Sequence, residues 1–148
     1  MKKQLGKKDV EELQSRITFP IDKKDHFELV ENELGKHWTI NGKIALVEKD
    51  GIVLPHLKFL LQNLVLKHAV VDMGAVKFVV SGADVMRPGI KEFSPDLKKD
   101  ELVVVLDINN KKPLAVGKML FSGEEAKAMD KGRIIKNLHW VGDLFWNA

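Results

Sequence analysis

Residues Val70–Ile90 have the sequence VVDMGAVKFVVSGADVMRPGI, in which three glycines and one proline fall where the chain is expected to reverse. The pattern predicts a short strand, a sharp turn at Gly74 and a short helix over Ala75–Val80. Gly82 is predicted to end that helix in the left-handed conformation that glycine adopts without strain. A second strand should follow and end in the Pro88-Gly89 turn.

The rest of the C-terminal half continues this alternation of short strands and turns. Leu102–Leu106 is a continuous run of β-branched and aliphatic residues, which predicts a strand buried on both faces. Ser122 and Glu125 form a capping-box pattern at the start of a short helix. The remaining predicted elements are a turn at Asn109–Pro113, a strand at Leu114–Phe121 and one or two strands in Arg133–Val141. This spacing favours a small closed or partly closed barrel.

The N-terminal half carries a mixture of helix and strand signals. Asp9 is predicted to cap a helix that runs to Ile17, and Lys49-Asp50-Gly51 predicts a hairpin turn. A second helix should open at Pro55, where the missing N–H group is tolerated. One apolar stripe is predicted along that second helix: Leu57, Leu60, Leu61 and Leu64. The other predicted strands are Phe27–Val30, His37–Ile40, Lys43–Glu48 and Ile52–Leu54.

These elements predict an α+β chain with an N-terminal domain in residues 1–68 and a C-terminal domain in residues 69–148. Residues 66–69 contain no Gly/Ser/Pro-rich linker, so the two parts are expected to pack rigidly against one another.

The composition of the 148 residues is ordinary for a globular protein, with 45% hydrophobic and 30% charged residues. The absence of cysteine excludes disulfides and thiolate metal sites. No apolar run reaches the ~18 residues needed to span a bilayer, and no apolar stretch follows the N-terminal lysines as in a signal peptide. We therefore expect a cytoplasmic protein. The net charge of +3 gives weak support for a nucleic-acid partner, so any RNA site must come from local clustering.

The sequence offers no pattern typical of an enzyme. The glycines match neither a dinucleotide-binding nor a phosphate-loop spacing, and no serine lies in a nucleophile elbow. The five histidines have no metal-ligand spacing, so only convergence in the folded chain would make a metal site. We expect no catalysis, no metal and no cofactor.

The Gly74-Ala75 pair admits two interpretations. The glycine can serve a backbone conformation alone. The small pair can also let another backbone approach closely, with the N–H groups of the next helix turn available to a phosphate. Aromatic side chains admit two interpretations as well, because they can stack on unpaired bases or pack in the core. The candidates are Trp38, Phe78, Trp140, Phe145 and Trp146.

The chain from about residue 69 to 148 resembles the PUA domain, an RNA-binding module. The resemblance rests on Val71–Ala75, on Ser81–Ile90, on the strand at Leu102–Leu106 and on the Ala115–Lys118 strand. The ending Gly132–Trp146 is similar to PUA proteins in the group of the eukaryotic "multiple copies in T-cell lymphoma" factor and ligatin. Those proteins act in translation re-initiation and ribosome recycling, and this chain looks most like their archaeal stand-alone members.

The resemblance implies a mixed, mainly antiparallel pseudobarrel with short helices, preceded by a compact pre-PUA domain. It implies a non-catalytic function in which the first helix of the domain, the next strand and the last strand bind RNA, with tRNA or rRNA as expected partners. The small ribosomal subunit or a translation factor is a further candidate partner, whereas DNA and membranes are not expected. The candidate RNA-binding residues are Gly74, Ala75, Lys77, Arg87, Lys118, Arg133 and Lys136. A protein-interaction adaptor, with the N-terminal domain docking a partner, is the alternative function.

Overall fold

The computed structural model describes all residues from Met1 to Ala148. The chain forms two compact units, Met1–Val65 together with Ala148, and Leu66–Asn147. No helix in the structure is both long and apolar enough to cross a lipid bilayer. The assignment of residues 1–68 and 69–148 to two functional domains stays a prediction, as does their rigid packing.

The first unit is built on a five-stranded antiparallel sheet in which each strand pairs with its neighbour in sequence. Its elements are β1 (Lys2–Gln4), α1 (Lys7–Ser15), β2 (Phe27–Asn32), β3 (Gly35–Ile40), β4 (Lys43–Lys49), β5 (Ile52–Pro55) and α2 (Leu57–Leu60). The predicted hairpin is confirmed, because Asp50 and Gly51 take positive φ angles of 53° and 76° between β4 and β5. Positive φ at both central residues matches the right-handed twist of the flanking strands.

Helix α1 begins earlier than predicted. Gly6, and not Asp9, is its N-cap, and the Asp9 carboxylate lies in the first turn and accepts a hydrogen bond from the Gly6 N–H group at 3.3 Å. A carboxylate within the first turn interacts favourably with the positive end of the helix dipole, as it would from the cap position. The sequence therefore indicated a helix that begins near Asp9, but it indicated the wrong capping residue for α1.

The predicted helix after Pro55 was wrong in its start and its length. Pro55 ends β5, His56 is the N-cap through its Nδ1 atom, and α2 makes a single turn. Leu57 and Leu60 are buried, whereas Leu61 and Leu64 are 60% and 80% exposed. The apolar stripe stops after Leu60 because the helix that would have aligned the four leucines ends there.

The second unit contains a six-stranded mixed sheet in the order β7-β11-β10-β9-β6-β8, curled into a half-barrel. The pairing of β6 with β9 is parallel and the other pairings are antiparallel. The elements are β6 (Lys67–Val71), α3 (Met73–Val79), β7 (Val85–Met86), β8 (Ile90–Phe93), β9 (Leu102–Asp107), β10 (Pro113–Met119), α4 (Gly123–Lys127) and β11 (Arg133–Trp140). A 3-10 turn at Arg87–Gly89 joins β7 to β8.

The core of the second unit confirms several sequence predictions. Val103, Val104 and Val105 in β9 are fully or almost fully buried, as their continuous apolar run predicted. Ser122 caps α4 through a capping box with Glu125, also as predicted. A cluster that includes Val71, Val103, Ala115 and Ile135 fills the interior of the curled sheet. The cluster also includes Val79 of α3, so the same core holds this helix against the sheet.

Candidate functional site

Helix α3 is held at both ends by specific hydrogen bonds. At the N-terminus, Oδ1 of Asp72 accepts a hydrogen bond from the Ala75 N–H group at 2.9 Å. At the C-terminus, the N–H groups of Gly82 and Ala83 donate to the carbonyls of Val79 and Phe78. This pair of bonds is a Schellman motif, and Gly82 has the predicted positive φ, at 94°.

The capped N-terminus bears on the predicted phosphate site. The carboxylate of Asp72 already accepts the Ala75 N–H group and places a negative charge at the positive end of the helix dipole. The other carboxylate oxygen of Asp72 lies 3.9 Å from Lys91 Nζ. The Ala75 N–H group is therefore already satisfied within the protein, contrary to the sequence-based expectation of free donors at this helix end.

Strand β11 is attached to the end of α3 by Asn137 and Asp84. Asn137 Nδ2 donates to the carbonyls of Val79 and Ala83, at 2.9 and 3.0 Å, while its backbone N–H donates to Asp84 Oδ1 at 2.9 Å. The second oxygen of Asp84 accepts a hydrogen bond from Arg133 Nη1 at 2.8 Å. One carboxylate thus links the loop after α3 to two positions on β11.

These elements enclose an open groove of about 580 Å³ beside α3, which we call the α3 groove. It is lined by Asp72, Gly74, Ala75, Phe78, Val79, Ala83, Asp84, Val85, Met86, Pro88, Gly89 and Arg133. Phe78 is 57% and Met86 47% exposed, and both large apolar side chains line this one groove. A Cβ atom on Gly89 would lie 3.1 Å from the Cβ of Ala75, so small residues bring these two segments together.

The structure places three of the predicted site residues in the α3 groove: Gly74, Ala75 and Arg133. The exposed Lys77 follows on the same helix, with its Nζ atom 5.2 Å from the ring centre of Phe78. Lys118 and Lys136 lie elsewhere, directly opposite one another on the neighbouring strands β10 and β11. Lys118 Nζ is 4.0 Å from Asp100.

Arg87 has a structural environment that the sequence did not indicate. Its Nε atom donates to the carbonyl of Ala126 at 2.8 Å, and one Nη atom donates to the carbonyl of Ile90 at 3.0 Å. Its guanidinium also lies 5.5 Å from the ring centre of Phe93. These contacts connect the 3-10 turn to the end of α4. The predicted RNA-binding role of Arg87 stays a prediction, with two of its five N–H donors already bound to protein.

Comparison with known proteins identifies the family. The sequence profile of the PUA domain matches residues 67–141. The chain belongs to the PUA-domain family. It is 41% identical over 151 residues to an uncharacterized protein of Methanocaldococcus jannaschii, with 97% of this chain and 93% of the relative covered. These matches confirm the predicted resemblance to the PUA domain and the predicted similarity to an archaeal protein.

Two named eukaryotic relatives are similar to this PUA-domain protein over 86% of its length. Translation machinery-associated protein 20 of Saccharomyces cerevisiae is 36% identical, with 86% of this chain and 75% of the relative covered. Malignant T-cell-amplified sequence 1 of Rattus norvegicus is 34% identical, with 86% and 73% covered. Among solved structures, a hypothetical protein from Pyrococcus horikoshii is similar with a TM-score of 0.86 and 29% identity, over 99% of this chain and 98% of that one.

Sequence reasoning did not assign several groove residues of the PUA domain. Phe78 was one of five aromatic candidates, and among them it is the one that is exposed and lines the groove. Trp38 and Phe145 are buried, as the core interpretation predicted. Asp84 and Asn137 gave no local signal, because their partners lie 49 and 54 residues away in sequence at Arg133 and Ala83.

The histidines have separate surroundings in the structure. His26 lies 2.9 Å from Glu28, His68 lies 3.1 Å from Ser94, and His139 lies 2.7 Å from Asp143. His37 is buried, and burial lowers its pKa because it disfavours the charged ring. No group of three or more His, Asp or Glu side chains is placed to hold a metal ion.

Proposed function

We propose that this protein is a non-catalytic RNA-binding protein whose PUA domain engages structured RNA, either tRNA or rRNA, during translation initiation or ribosome recycling. Membership of the PUA family and the names of its translation-machinery relatives support the general role. The single observation that carries the proposal is the α3 groove, which exposed Phe78 and Met86 line together with Arg133. An exposed aromatic face in the same groove as a guanidinium suits an unpaired base, which can stack on the ring and accept hydrogen bonds.

We assign roles within this site by chemistry. Gly74 and Ala75 allow an RNA backbone to approach the first turn of α3, because neither residue carries a side chain beyond Cβ. Phe78 offers its ring for stacking. Lys77 is positioned to meet a phosphate from the outer side of the helix. The further candidate contacts are Arg87, Lys118, Arg133 and Lys136.

We further propose that residues 1–68 form a pre-PUA domain and that residues 69–148 form the RNA-binding domain. The likeness over most of the chain to translation machinery-associated protein 20 supports a link to the small ribosomal subunit or to a translation factor. A cytoplasmic location follows from this role.

Crosslinking in cells tests the proposed function. The full chain and its Ala75→Glu variant are expressed at equal levels, irradiated, purified under denaturing conditions, and the attached RNA is sequenced. We expect tRNA or rRNA fragments on the full chain and a large loss of them on the variant. Equal recovery from both proteins would place the RNA outside the α3 groove, and the absence of RNA from both would contradict RNA binding.

A protein-interaction adaptor is the second candidate function. It is favoured by the exposure of Leu61 and Leu64 in the first unit. Leu61 also helps Phe59 to line a separate groove of about 830 Å³. Association with ribosomes or factors that persists after ribonuclease treatment, and that is lost in a Leu61→Ser, Leu64→Ser variant, would support this function. Loss of association on ribonuclease treatment would favour RNA binding.

A further inference from the structure

The charges of the α3 groove do not suit a phosphate. Its lining contains two carboxylates, Asp72 and Asp84, and one guanidinium, Arg133, while all its other members are apolar or glycine. Phosphate sites normally present free cationic or N–H donors. Here Asp72 already occupies the Ala75 N–H group at the start of α3. The groove therefore lacks the surplus of positive charge that a phosphate requires.

The one cation in the lining is itself paired. Arg133 Nη1 donates to Asp84 Oδ2 at 2.8 Å, and the Arg133 side chain is 64% exposed while that of Asp84 is only 23% exposed. Asp84 is fixed in turn, since its other oxygen accepts the Asn137 backbone N–H at 2.9 Å. Asp84 is the less exposed partner, and its carboxylate accepts two hydrogen bonds. It is therefore the fixed member of the ion pair, and it determines where the Arg133 guanidinium lies.

We propose that Asp84 is a positioning residue that makes the α3 groove select an uncharged nucleobase and disfavour a phosphate, by holding Arg133 in an ion pair. This inference rests on the proposed RNA-binding function. The Arg133 guanidinium still has N–H donors that can bind the edge of a base. Its positive charge is offset by the Asp84 carboxylate, so the pair attracts a phosphate less than a lone arginine would. The exposed ring of Phe78 supplies the stacking surface for the same base.

The first test uses Arg133→Gln in the full chain, with unfractionated tRNA as the probe and its dissociation constant measured across a salt series. If Arg133 binds a base edge, the variant should bind tRNA about tenfold more weakly at every salt concentration. The log–log salt slope should stay unchanged, because no phosphate contact is removed. A slope flattened by about one unit would identify Arg133 as a phosphate ligand and overturn the proposal.

The second test uses Asp84→Asn, which keeps an oxygen acceptor for the Asn137 N–H group and removes the charge. Releasing Arg133 should let it meet a phosphate, so the salt slope should become steeper by about 0.7–0.9. Glu92→Gln is the matched control, because Glu92 is an exposed carboxylate of the same unit, paired with Lys111 and outside the groove lining. The change should also disappear in the Asp84→Asn, Arg133→Gln double variant.

These outcomes separate the proposal from a purely structural role and from the proposed function. Equal slopes for Asp84→Asn and Glu92→Gln, or a steeper slope that persists in the double variant, would overturn the role of Asp84 while tRNA binding stands. If the unaltered protein binds neither tRNA nor purified rRNA, the proposed function fails first. If Asp84→Asn does not fold, as judged from its thermal melt, the Arg133→Gln slope still decides the question.

Discussion

Gly82 lies directly against the indole of Trp140, and a Cβ atom at residue 82 would come within 2.7 Å of Trp140 Cζ2. The glycine ends α3, and the indole belongs to the last residue of β11. The contact therefore fixes the helix that borders the α3 groove against the last strand of the PUA domain.

Replacing Gly82 with alanine should destabilise the second unit by about 2–4 kcal/mol, which combines two effects. Part of the loss comes from the positive φ of 94°, which disfavours a residue with a Cβ atom. The rest comes from the clash with the indole, at ~1–3 kcal/mol for an overpacked site. Chemical denaturation measures the difference. Gly142→Ala is the control, since Gly142 has a φ of 90° but a Cβ atom there would meet no other atom within 4 Å. Equal losses for both variants would show that the indole contact has no energetic weight.

Ala75→Glu should abolish RNA binding and leave the fold largely intact. Ala75 is half-buried, lines the α3 groove and also packs against the core, so a glutamate there adds bulk and charge at the edge of the space proposed for RNA. Acid in the first turn of a helix is normally favourable by ~0.3–1 kcal/mol, but Asp72 already supplies that charge. A melting temperature close to that of the unaltered protein, together with the loss of tRNA binding in a filter assay, is expected. Ala128→Glu adds the same charge outside the groove and should keep binding.

Salt dependence of tRNA binding should reveal only a few phosphate contacts. About three to five contacts give a log–log slope of about −2 to −5 at ~0.7–0.9 per contact. Lys77→Ala should flatten the slope by about one unit, because Lys77 is exposed on the helix that borders the groove. Lys99→Ala is the control, being an exposed lysine of the same unit outside the groove lining. Binding that does not change between low and physiological ionic strength would contradict RNA binding and favour the adaptor function.

Arg87→Lys should lower stability before it alters RNA recognition. Lysine has one ammonium group and cannot reproduce the two bonds that Arg87 makes from Nε and Nη1 to the carbonyls of Ala126 and Ile90. Hydrogen bonds from a charged donor contribute about 1.5–3 kcal/mol, so a loss of about that size in urea denaturation is expected. If stability is unchanged and only the preferred RNA sequence binds more weakly, Arg87 reads a base instead.

Asp143 should make the free energy of unfolding decrease at acid pH. Burial alone would raise the pKa of this carboxyl, but the hydrogen bond from His139 and those from the Trp140 and Trp146 N–H groups outweigh it, and the pKa is lowered. The stabilisation is therefore complete above the ordinary carboxyl pKa of 3.8 and is lost as pH falls through the lower folded-state value. Unfolding free energies measured from pH 6 to pH 2 should fall less steeply in Asp143→Asn than in the unaltered protein. Parallel profiles would contradict this role.

Much of the second unit could be predicted from local sequence signals. The Gly82 helix end, the buried β9 strand and the Ser122–Glu125 capping box each depend on residues within a few positions of one another. Such signals act through backbone conformation and local hydrogen bonds, so they survive in most tertiary contexts. The resemblance to the PUA domain rested on the same segments.

Other features depended on partners distant in sequence. The pairing of Asp84 with Arg133 spans 49 residues, and the opposition of Lys118 and Lys136 follows from the register of β10 on β11. The end of α2 after Leu60 and the use of Arg87 within the protein were likewise not indicated by local patterns.

The amino-acid sequence by itself thus determined the family, most of the strands, the C-terminal end of α3 at Gly82 and the start of α4 at Ser122, because propensity and capping act over a few residues. Only the tertiary structure decided which side chains border the α3 groove and which charges there are already paired. Those properties depend on strand register and on the curl of the sheet, which bring together segments that the linear order keeps far apart.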